Sequence, residues 1–232
     1  MKSRPITLKI LDWLSVILLA VAAYLSIVWA PQEAVMGDVQ RVFYIHVAAG
    51  WGGMMGFLLA VFSAIMYLVK GDLKWDIVGL AGIEVGLVLS FINIVSGSIW
   101  ARPIWNTWWT WDPRLVTATI MELVYIAYLM LRQGIDEPER RARFGAIYAL
   151  VGFVSVPLSF LSIRIWRTIH PVVVGSGDAG AQGSFDMSPD MRVAFFFALF
   201  TFTVFGVTLL WHRIRIGRLQ DKIERLKMKI TY

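Results

Sequence analysis

The side chains best able to do chemistry are concentrated in one fifteen-residue stretch, Trp100–Arg114. This stretch contains five of the eleven tryptophans, two arginines and one aspartate. Indole rings offer flat apolar surface with an N–H group that needs a partner, and arginines pair with anionic groups. The stretch therefore predicts a surface that holds a flat, anionic ligand. The alternative is an ordinary aromatic belt at a membrane interface, although a belt scatters its tryptophans along the chain.

Two of the three histidines, His46 and His170, lie on either side of this stretch in the sequence. A lone histidine would be expected only to hydrogen-bond a neighbouring loop. Two histidines together with flat aromatic surface and arginines favour haem, because haem iron takes axial histidine ligands and the propionates pair with arginine. A zinc site would use three or four protein ligands and would leave the tryptophans without a role. The third histidine, His212, lies among arginines and is predicted to contact water or lipid headgroups.

The composition predicts an all-α integral membrane protein. Hydrophobic residues make up 58% of the chain and charged residues only 16%, with a mean hydropathy of +0.65, which is too apolar for an ordinary soluble domain. A membrane-spanning helix needs about 20 apolar residues. The sequence predicts one domain, residues 1–232, with six transmembrane helices at about Ile10–Trp29, Phe43–Val69, Ile77–Ile99, Leu115–Leu131, Phe144–Ile163 and Val193–Trp211.

The distribution of basic residues predicts the orientation of these helices. Sixteen lysines and arginines lie on the side of the membrane that holds both termini, and six lie on the opposite side. The positive-inside rule then places both termini in the cytoplasm. The tryptophan-rich loop, at about residues 98–114, and the glycine-containing segment Gly175–Gly183 are accordingly expected in the periplasm. The basic C-terminal tail is interpreted as an orientation signal that contacts anionic lipid rather than nucleic acid.

Other residues bound the range of functions. The chain has no cysteine, which excludes structural disulfides and thiolate metal sites. It also has no nucleotide-binding P-loop, so it carries no energy source for pumping. Glu84 and Glu122 are predicted within spans, where a carboxylate is costly to bury. Glu84 is expected near a headgroup or a water pocket, and the role of Glu122 stays open.

The core of the tryptophan stretch, Trp-Trp-Thr-Trp-Asp-Pro-Arg at residues 108–114, resembles the tryptophan-rich motif of the haem-handling family of cytochrome c biogenesis. The segments Arg-Val-Phe-Tyr-Ile-His46 and Trp-Arg-Thr-Ile-His170 resemble the two histidine motifs of that family, in the same order. The chain length and six spans favour its maturation-protein-C branch. The resemblance extends roughly from Val39 to Trp211. One difference is Ala101, where the family pattern leads us to expect glycine.

The resemblance implies a function. The protein would present haem b at the periplasmic face of the bacterial inner membrane and transfer it to a membrane-anchored haem chaperone. It would work with an ABC-type ATPase, its membrane subunits and a small single-span accessory subunit. His46 and His170 would be the axial ligands of the haem iron, and Arg114 would pair with a propionate. Asp112 would hold the loop, and the haem platform would comprise Trp105, Trp108, Trp109 and Trp111.

The expected activity is binding and delivery rather than catalysis, with at most assistance in attaching haem covalently to the chaperone. Two alternatives stay open. One is a haem-attaching synthetase of the related single-component system, which usually has more spans and more histidines. The other is a b-type cytochrome membrane subunit, which usually carries haems at different depths of the bilayer, whereas both candidate ligands are predicted at the same face.

Overall fold

The computed structural model describes residues 4–171 and 187–231, with side chains as far as residue 227. In these ranges the chain is helical and forms no strand, apart from one isolated bridge between Glu33 and Gly37. The segment Gly175–Gly183 lies outside the described residues. The helices are α1 (Ile6–Tyr24, continued by a π-helical segment, Leu25–Trp29), α2 (Val42–Lys70, preceded by a 3₁₀ turn, Asp38–Arg41), α3 (Leu73–Trp105), α4 (Pro113–Gln133), α5 (Pro138–Gly152), α6 (Ser155–Ile165) and α7 (Pro189–Thr231).

The all-helical membrane fold predicted from hydropathy is confirmed. Within the described ranges, six helical segments are long and apolar enough to cross a membrane. Helices α5 and α6 together form the fifth of them, residues 138–165. Most of these helical segments begin earlier and end later than the apolar runs predicted from the sequence. Many of the additional residues are charged or polar and extend the helices beyond the apolar part that would cross the membrane.

Polar contacts define one end of the bundle, here called the terminal end because residues near both chain termini meet there. The ring of His212 lies with Nε2 2.6 Å from the Asp12 carboxylate, so this histidine is paired with α1, whereas the sequence predicted contact with water or headgroups. At the same end Arg132 donates two hydrogen bonds to Asp76, at 2.5 and 2.8 Å. The opposite end, which carries His46 and His170, is called the site end.

Both intramembrane glutamates have partners. Glu84 of α3 forms an ion pair with Arg213 of α7 near the terminal end. Glu122 of α4 is buried and accepts a hydrogen bond from the Ser90 hydroxyl at 2.5 Å. These contacts explain how each carboxylate is tolerated in an apolar segment, since a buried polar group is costly only when it lacks a partner.

Helices α2 and α3 form the centre of the bundle because glycines let their backbones touch. A Cβ atom added to Gly56 would lie 2.6 Å from the Gly82 carbonyl oxygen and 2.8 Å from the Cα of Gly86. Small residues at such crossings allow membrane helices to approach closely, where van der Waals packing replaces the missing hydrophobic driving force. The α2–α3 pair is therefore a rigid reference against which the other helices pack.

The remaining helices cover the two sides of this pair. On one side Phe57 of α2 stacks on Tyr125 of α4, with ring centroids 4.0 Å apart and planes 4° from parallel, in a cluster that also includes residues of α5. On the other side Phe195 and Phe202 of α7 pack against α2 and α3 in a second cluster. Because α4 packs on one side of this pair, its first turn lies beside the site end of α2 and α3.

We expect Gly56→Ala to destabilise the bundle by about 1–3 kcal/mol, the usual cost of overpacking a tight contact, because its neighbours are backbone atoms that cannot turn aside. Thermal unfolding of the purified protein in detergent measures this effect. Gly134→Ala is the matched control, since the nearest atom to its added Cβ is 3.7 Å away. Equal melting temperatures for the two variants would contradict the proposed backbone contact.

Candidate functional site

The tryptophan-rich stretch is partly helical. Helix α3 continues to Trp105, passes through Pro103 and ends where Asn106 takes a left-handed conformation with φ 55°. The Arg102 side chain hydrogen-bonds the Asn106 side chain across this end. Only residues 106–112 connect α3 to α4, so the loop is shorter than the stretch at about 98–114 that the sequence suggested. Trp105 and Trp100 consequently project from a helix, with their rings in edge contact at 5.2 Å.

Asp112 begins the next helix and defines the direction of α4. Its carboxylate Oδ1 accepts a hydrogen bond from the backbone N–H of Arg114 at 2.9 Å, which is the usual role of an aspartate at a helix N-cap. Pro113 follows at the first helical position, where its fixed φ and missing N–H are tolerated. The Asp-Pro-Arg sequence therefore accounts for the local structure.

The same carboxylate binds the segment that carries His170. Asp112 Oδ1 accepts a hydrogen bond from the Thr168 hydroxyl at 2.6 Å, and Oδ2 accepts one from the backbone N–H of Ile169 at 2.9 Å. The Thr168 hydroxyl oxygen in turn accepts the backbone N–H of His170 at 3.0 Å. The Asp112 side chain is 8% exposed, so these bonds are shielded from water. We call this set of contacts the Asp112 clip.

His46 is held by α3. Its ring Nδ1 lies 2.8 Å from the carbonyl oxygen of Asn93, and because a carbonyl can only accept, Nδ1 carries the proton. The Asn93 amide nitrogen donates to the carbonyl oxygen of His46 at 2.7 Å. Gly97 makes room for the ring, since an added Cβ there would be 2.9 Å from the ring carbon Cε1. In the neutral form of this imidazole the lone pair is then on Nε2.

His170 shows the same arrangement on the facing segment. Its Nδ1 lies 3.0 Å from the carbonyl oxygen of Pro171, which again leaves the lone pair on Nε2. The ring centroids of His46 and His170 are 6.4 Å apart, with planes inclined at 38°. Burial, together with the nearby charge of Arg114, lowers the pKa of His170 to about 3. The ring is thus neutral at physiological pH, as a metal ligand must be.

The two rings open into a cavity at the site end. Its walls are mostly apolar and aromatic, and its polar groups come from α2, α3, α4 and the His170 segment. The lining residues are Met36, Phe43, His46, Val47, Asn93, Ile94, Gly97, Ser98, Trp100, Trp105, Trp109, Arg114, Leu115, Ala118, His170 and Pro171.

The structure brings together only part of the predicted aromatic platform. Trp105 and Trp109 line the cavity, whereas Trp108 and Trp111 lie outside the lining and are 58% and 84% exposed. Trp111 contacts the edge of Trp109, with ring centroids 6.2 Å apart. A role for Trp108 and Trp111 in ligand contact stays a prediction.

Arg114 lines the cavity and is anchored from behind by α6. One terminal nitrogen, Nη1, donates to the carbonyl oxygen of Ser159 at 2.7 Å and to its hydroxyl at 2.5 Å. The guanidinium group also lies over the Phe160 ring, 5.1 Å from its centroid. A guanidinium has five N–H donors, so an anion in the cavity can accept from those that do not bind Ser159.

Several positioning residues were missed by sequence reasoning. Asn93 was detectable in principle, because it is an amide in the middle of an otherwise apolar span. Thr168 and Ser159 gave no such signal, since a hydroxyl near a helix end is common. Trp100 was part of the recognised stretch but was not assigned to the site. Within residues 4–171 and 187–231, no three His, Asp or Glu side chains are grouped to hold a metal ion.

The fold and the site define a multi-pass helical membrane protein whose aromatic cavity presents two imidazoles beside an arginine. The model of the family described as "Heme exporter protein C" matches residues 2–229 of the chain. The chain belongs to this family.

Individual relatives agree with this assignment. The chain is 31% identical over 233 residues to "Heme exporter protein C" of Bradyrhizobium diazoefficiens, a match that covers 96% of this chain and 84% of the relative. It is 30% identical over 208 residues to the protein of the same name from Escherichia coli K12, covering 88% and 82%. A "Putative cytochrome c biosynthesis ccmC-like mitochondrial protein" of Marchantia polymorpha is 28% identical over 153 residues, covering 66% and 64%.

We expect Asp112→Asn to loosen the His170 segment, because the amide can no longer accept hydrogen bonds on both sides. A hydrogen bond to a charged group contributes about 1.5–3 kcal/mol, so hydrogen exchange at the Ile169 amide should accelerate by about tenfold or more. Asparagine remains a good N-cap, so α4 itself should be retained. Hydrogen exchange of the purified protein, followed by mass spectrometry, measures both the exchange at Ile169 and the protection of α4.

Asp72→Asn is the matched control for the clip. Asp72 caps α3 in the same manner, accepting from the Lys74 backbone N–H at 2.9 Å, but it lies at the terminal end of the bundle. The Asp72 variant should leave exchange at Ile169 unchanged. If exchange at Ile169 is the same in wild type and Asp112→Asn, the clip does not hold the segment.

Proposed function

We propose that this protein presents haem b at the periplasmic face of the inner membrane and passes it to a membrane-anchored haem chaperone during c-type cytochrome maturation. Membership in the heme exporter protein C family supports haem handling. The observation that carries the proposal is the pair of imidazoles, His46 and His170, which line the same aromatic cavity with their ring centroids 6.4 Å apart.

The donor set fits haem as cargo. Two imidazoles on opposite faces of one iron would have ring centres about 6 Å apart, since metal–imidazole bonds are about 2 Å long. The observed 6.4 Å is close to this value. Both rings have their Nδ1 proton bonded to a backbone carbonyl, an arrangement that fixes the tautomer and increases the basicity of Nε2. His46 and His170 are therefore the proposed axial ligands.

The rest of the cavity suits the porphyrin. Trp105 and Trp109 offer flat walls, and Trp100 adds a third indole that the sequence did not assign. Arg114 would pair with a propionate through the donors that Ser159 does not occupy. Asp112 acts through the clip and holds the segment that carries His170. Trp108 and Trp111 keep their proposed role as an outer part of the platform, beyond the cavity wall.

The way the two histidines are held supports delivery rather than permanent retention. One proposed ligand, His46, belongs to the α2–α3 pair, whereas the other, His170, lies in the non-helical residues 166–171, which the hydrogen bonds of Asp112 hold. Opening that segment would release one axial ligand without disturbing a span. The proposed partners are the chaperone that accepts haem, an ABC-type ATPase with its membrane subunits, and a small single-span subunit.

The b-type cytochrome alternative gains no support from the third histidine. His212 lies at the opposite end of the bundle from the cavity and is paired with Asp12. A second haem at another depth would need ligands there, and this histidine is engaged by a carboxylate instead. The proposal accordingly assigns one haem to one site.

We expect His46→Ala and His170→Ala each to lower haem retention by more than about tenfold, since even the loss of a group that only supports a metal ligand costs about 10–100-fold. Absorbance of haem per protein after purification, followed by transfer to the purified chaperone, measures the effect. His212→Ala is the control and should match wild type, because it lies at the terminal end. Equal loss in all three variants would refute the site.

The periplasmic orientation gives a second test, which the absence of native cysteine makes clean. Val35 lies at the site end of the bundle and is 90% exposed. Asp136 lies on the exposed connection between α4 and α5 at the terminal end. Each is replaced by cysteine in a separate variant, Val35→Cys and Asp136→Cys. An impermeant thiol reagent should label the first in intact cells and the second only after the membrane is opened. The reverse pattern would place the cavity in the cytoplasm and contradict delivery to the periplasm.

A further inference from the structure

Helix α7 is much longer than a membrane span. It runs for 43 residues, Pro189–Thr231, which is about 64 Å at 1.5 Å per residue, against about 30 Å for the hydrocarbon core. Its apolar part, Val193–Trp211, is about 28 Å long by the same measure and fills that core. Gly217 of α7 lies beside Ile77, at the predicted start of the third span, so the residues beyond Gly217 continue as a helix past that span, on the side that holds both termini.

This extension carries an exposed apolar stripe with a heptad spacing. Ile216, Leu219, Ile223 and Leu226 are separated by three, four and three residues, as at the a and d positions of a coiled coil. All four are 41–50% exposed. Scattered exposed apolar residues are ordinary, but four on one helical face, three of them beyond the level of Gly217, are typical of a contact surface.

The opposite face of the extension is already occupied by the rest of the chain. Gly217 lies so close to α3 that an added Cβ would be 2.7 Å from the Cγ2 atom of Ile77. Glu224 approaches the Arg141 guanidinium of α5 at 4.0 Å. These contacts orient the helix, so the apolar stripe points away from the bundle.

The charges that flank the stripe define the partner. In the heptad register with Ile216 and Ile223 at a, the flanking g and e positions hold Arg215, Lys222, Gln220 and Lys227. Three of these are basic and none is acidic. In a pair of identical helices the basic flanks of the two copies would face each other, and like charges at these positions oppose pairing. An acidic partner helix would instead form ion pairs along both flanks.

We propose that the extension of α7 is a docking helix that forms a short coiled coil with a partner helix carrying apolar residues at a and d and acidic residues at e and g. A bilayer surface is the less favourable occupant, because the helix continues without a break from the membrane-spanning part. The extension keeps the direction of the membrane-spanning part, so it points away from the bilayer surface. Its apolar stripe therefore does not lie against lipid.

A designed peptide tests the surface directly. The probe is a fluorescent four-heptad helix with Ile at a, Leu at d and Glu at e and g, added to the full-length protein in phosphatidylcholine nanodiscs. We expect it to bind, and a companion peptide with Lys at e and g to bind about tenfold or more weakly. Fluorescence anisotropy gives both affinities, and equal affinities would overturn the proposal.

Two variants with the same added charge separate stripe contact from simple attraction between charges. Ile223→Lys removes an apolar contact and should weaken binding of the Glu peptide by about tenfold or more. Gln220→Lys adds the same charge beside the stripe and should keep or strengthen binding. If both variants strengthen binding equally, the interaction is only electrostatic and the coiled coil is refuted. An unchanged melting temperature shows that the variants fold.

A charge exchange tests the register. The double variant Lys222→Glu, Lys227→Glu should prefer the Lys peptide over the Glu peptide, and no change of preference would contradict the assigned flanks. Ile223→Cys reports the competing occupants. Efficient disulfide-linked dimers of this variant without peptide would show a second copy instead. A blue shift of an environment-sensitive fluorophore on the same cysteine, in nanodiscs without peptide, would show the membrane surface instead.

Discussion

The site depends on one carboxylate that accepts hydrogen bonds from two distant parts of the chain. Asp112 caps α4 through the Arg114 backbone N–H and, 56 residues further along, binds the Thr168 hydroxyl and the Ile169 backbone N–H. The carboxylate is buried, where charge-assisted hydrogen bonds are strong and an unpaired partner would be costly. The position of His170 relative to α4 therefore follows from a single side chain.

The second constraint is the glycine-mediated contact between α2 and α3. Close backbone approach at Gly56, Gly82 and Gly86 brings the site ends of both helices together, and His46 then rests against Asn93 and the space beside Gly97. One histidine is thus held by helix packing and the other by hydrogen bonds to a loop. Under the proposed function, this asymmetry would give the cavity one fixed ligand and one that can be withdrawn, as a protein that binds and then releases its cargo requires.

The sequence predicted the membrane fold because span length and hydropathy are local properties. It also predicted the residues that meet at the cavity, His46, His170, Trp105, Trp109 and Arg114, since their types are rare in apolar surroundings. It did not predict that α3 continues to Trp105, because a proline within the last turns of a helix suggests an earlier end. Which tryptophans face the cavity depends on the left-handed turn at Asn106, and no periodicity predicts that turn.

Long-range partners account for the rest of the difference. Asn93, Thr168 and Ser159 act only through residues that are distant in sequence, so their roles require the packed structure. The same holds for His212, whose partner Asp12 lies 200 positions away. These contacts also show that the two ends of the bundle have separate polar networks, one around the cavity and one around the helix ends near the termini.

The central claim is that His46 and His170 bind the same iron. Electron paramagnetic resonance of the purified protein loaded with ferric haem tests it most directly, because two imidazole ligands give a low-spin centre. The account predicts a low-spin bis-imidazole signal in wild type that converts to high spin in both His46→Ala and His170→Ala. A high-spin signal in wild type, or a low-spin signal that survives either substitution, would contradict it.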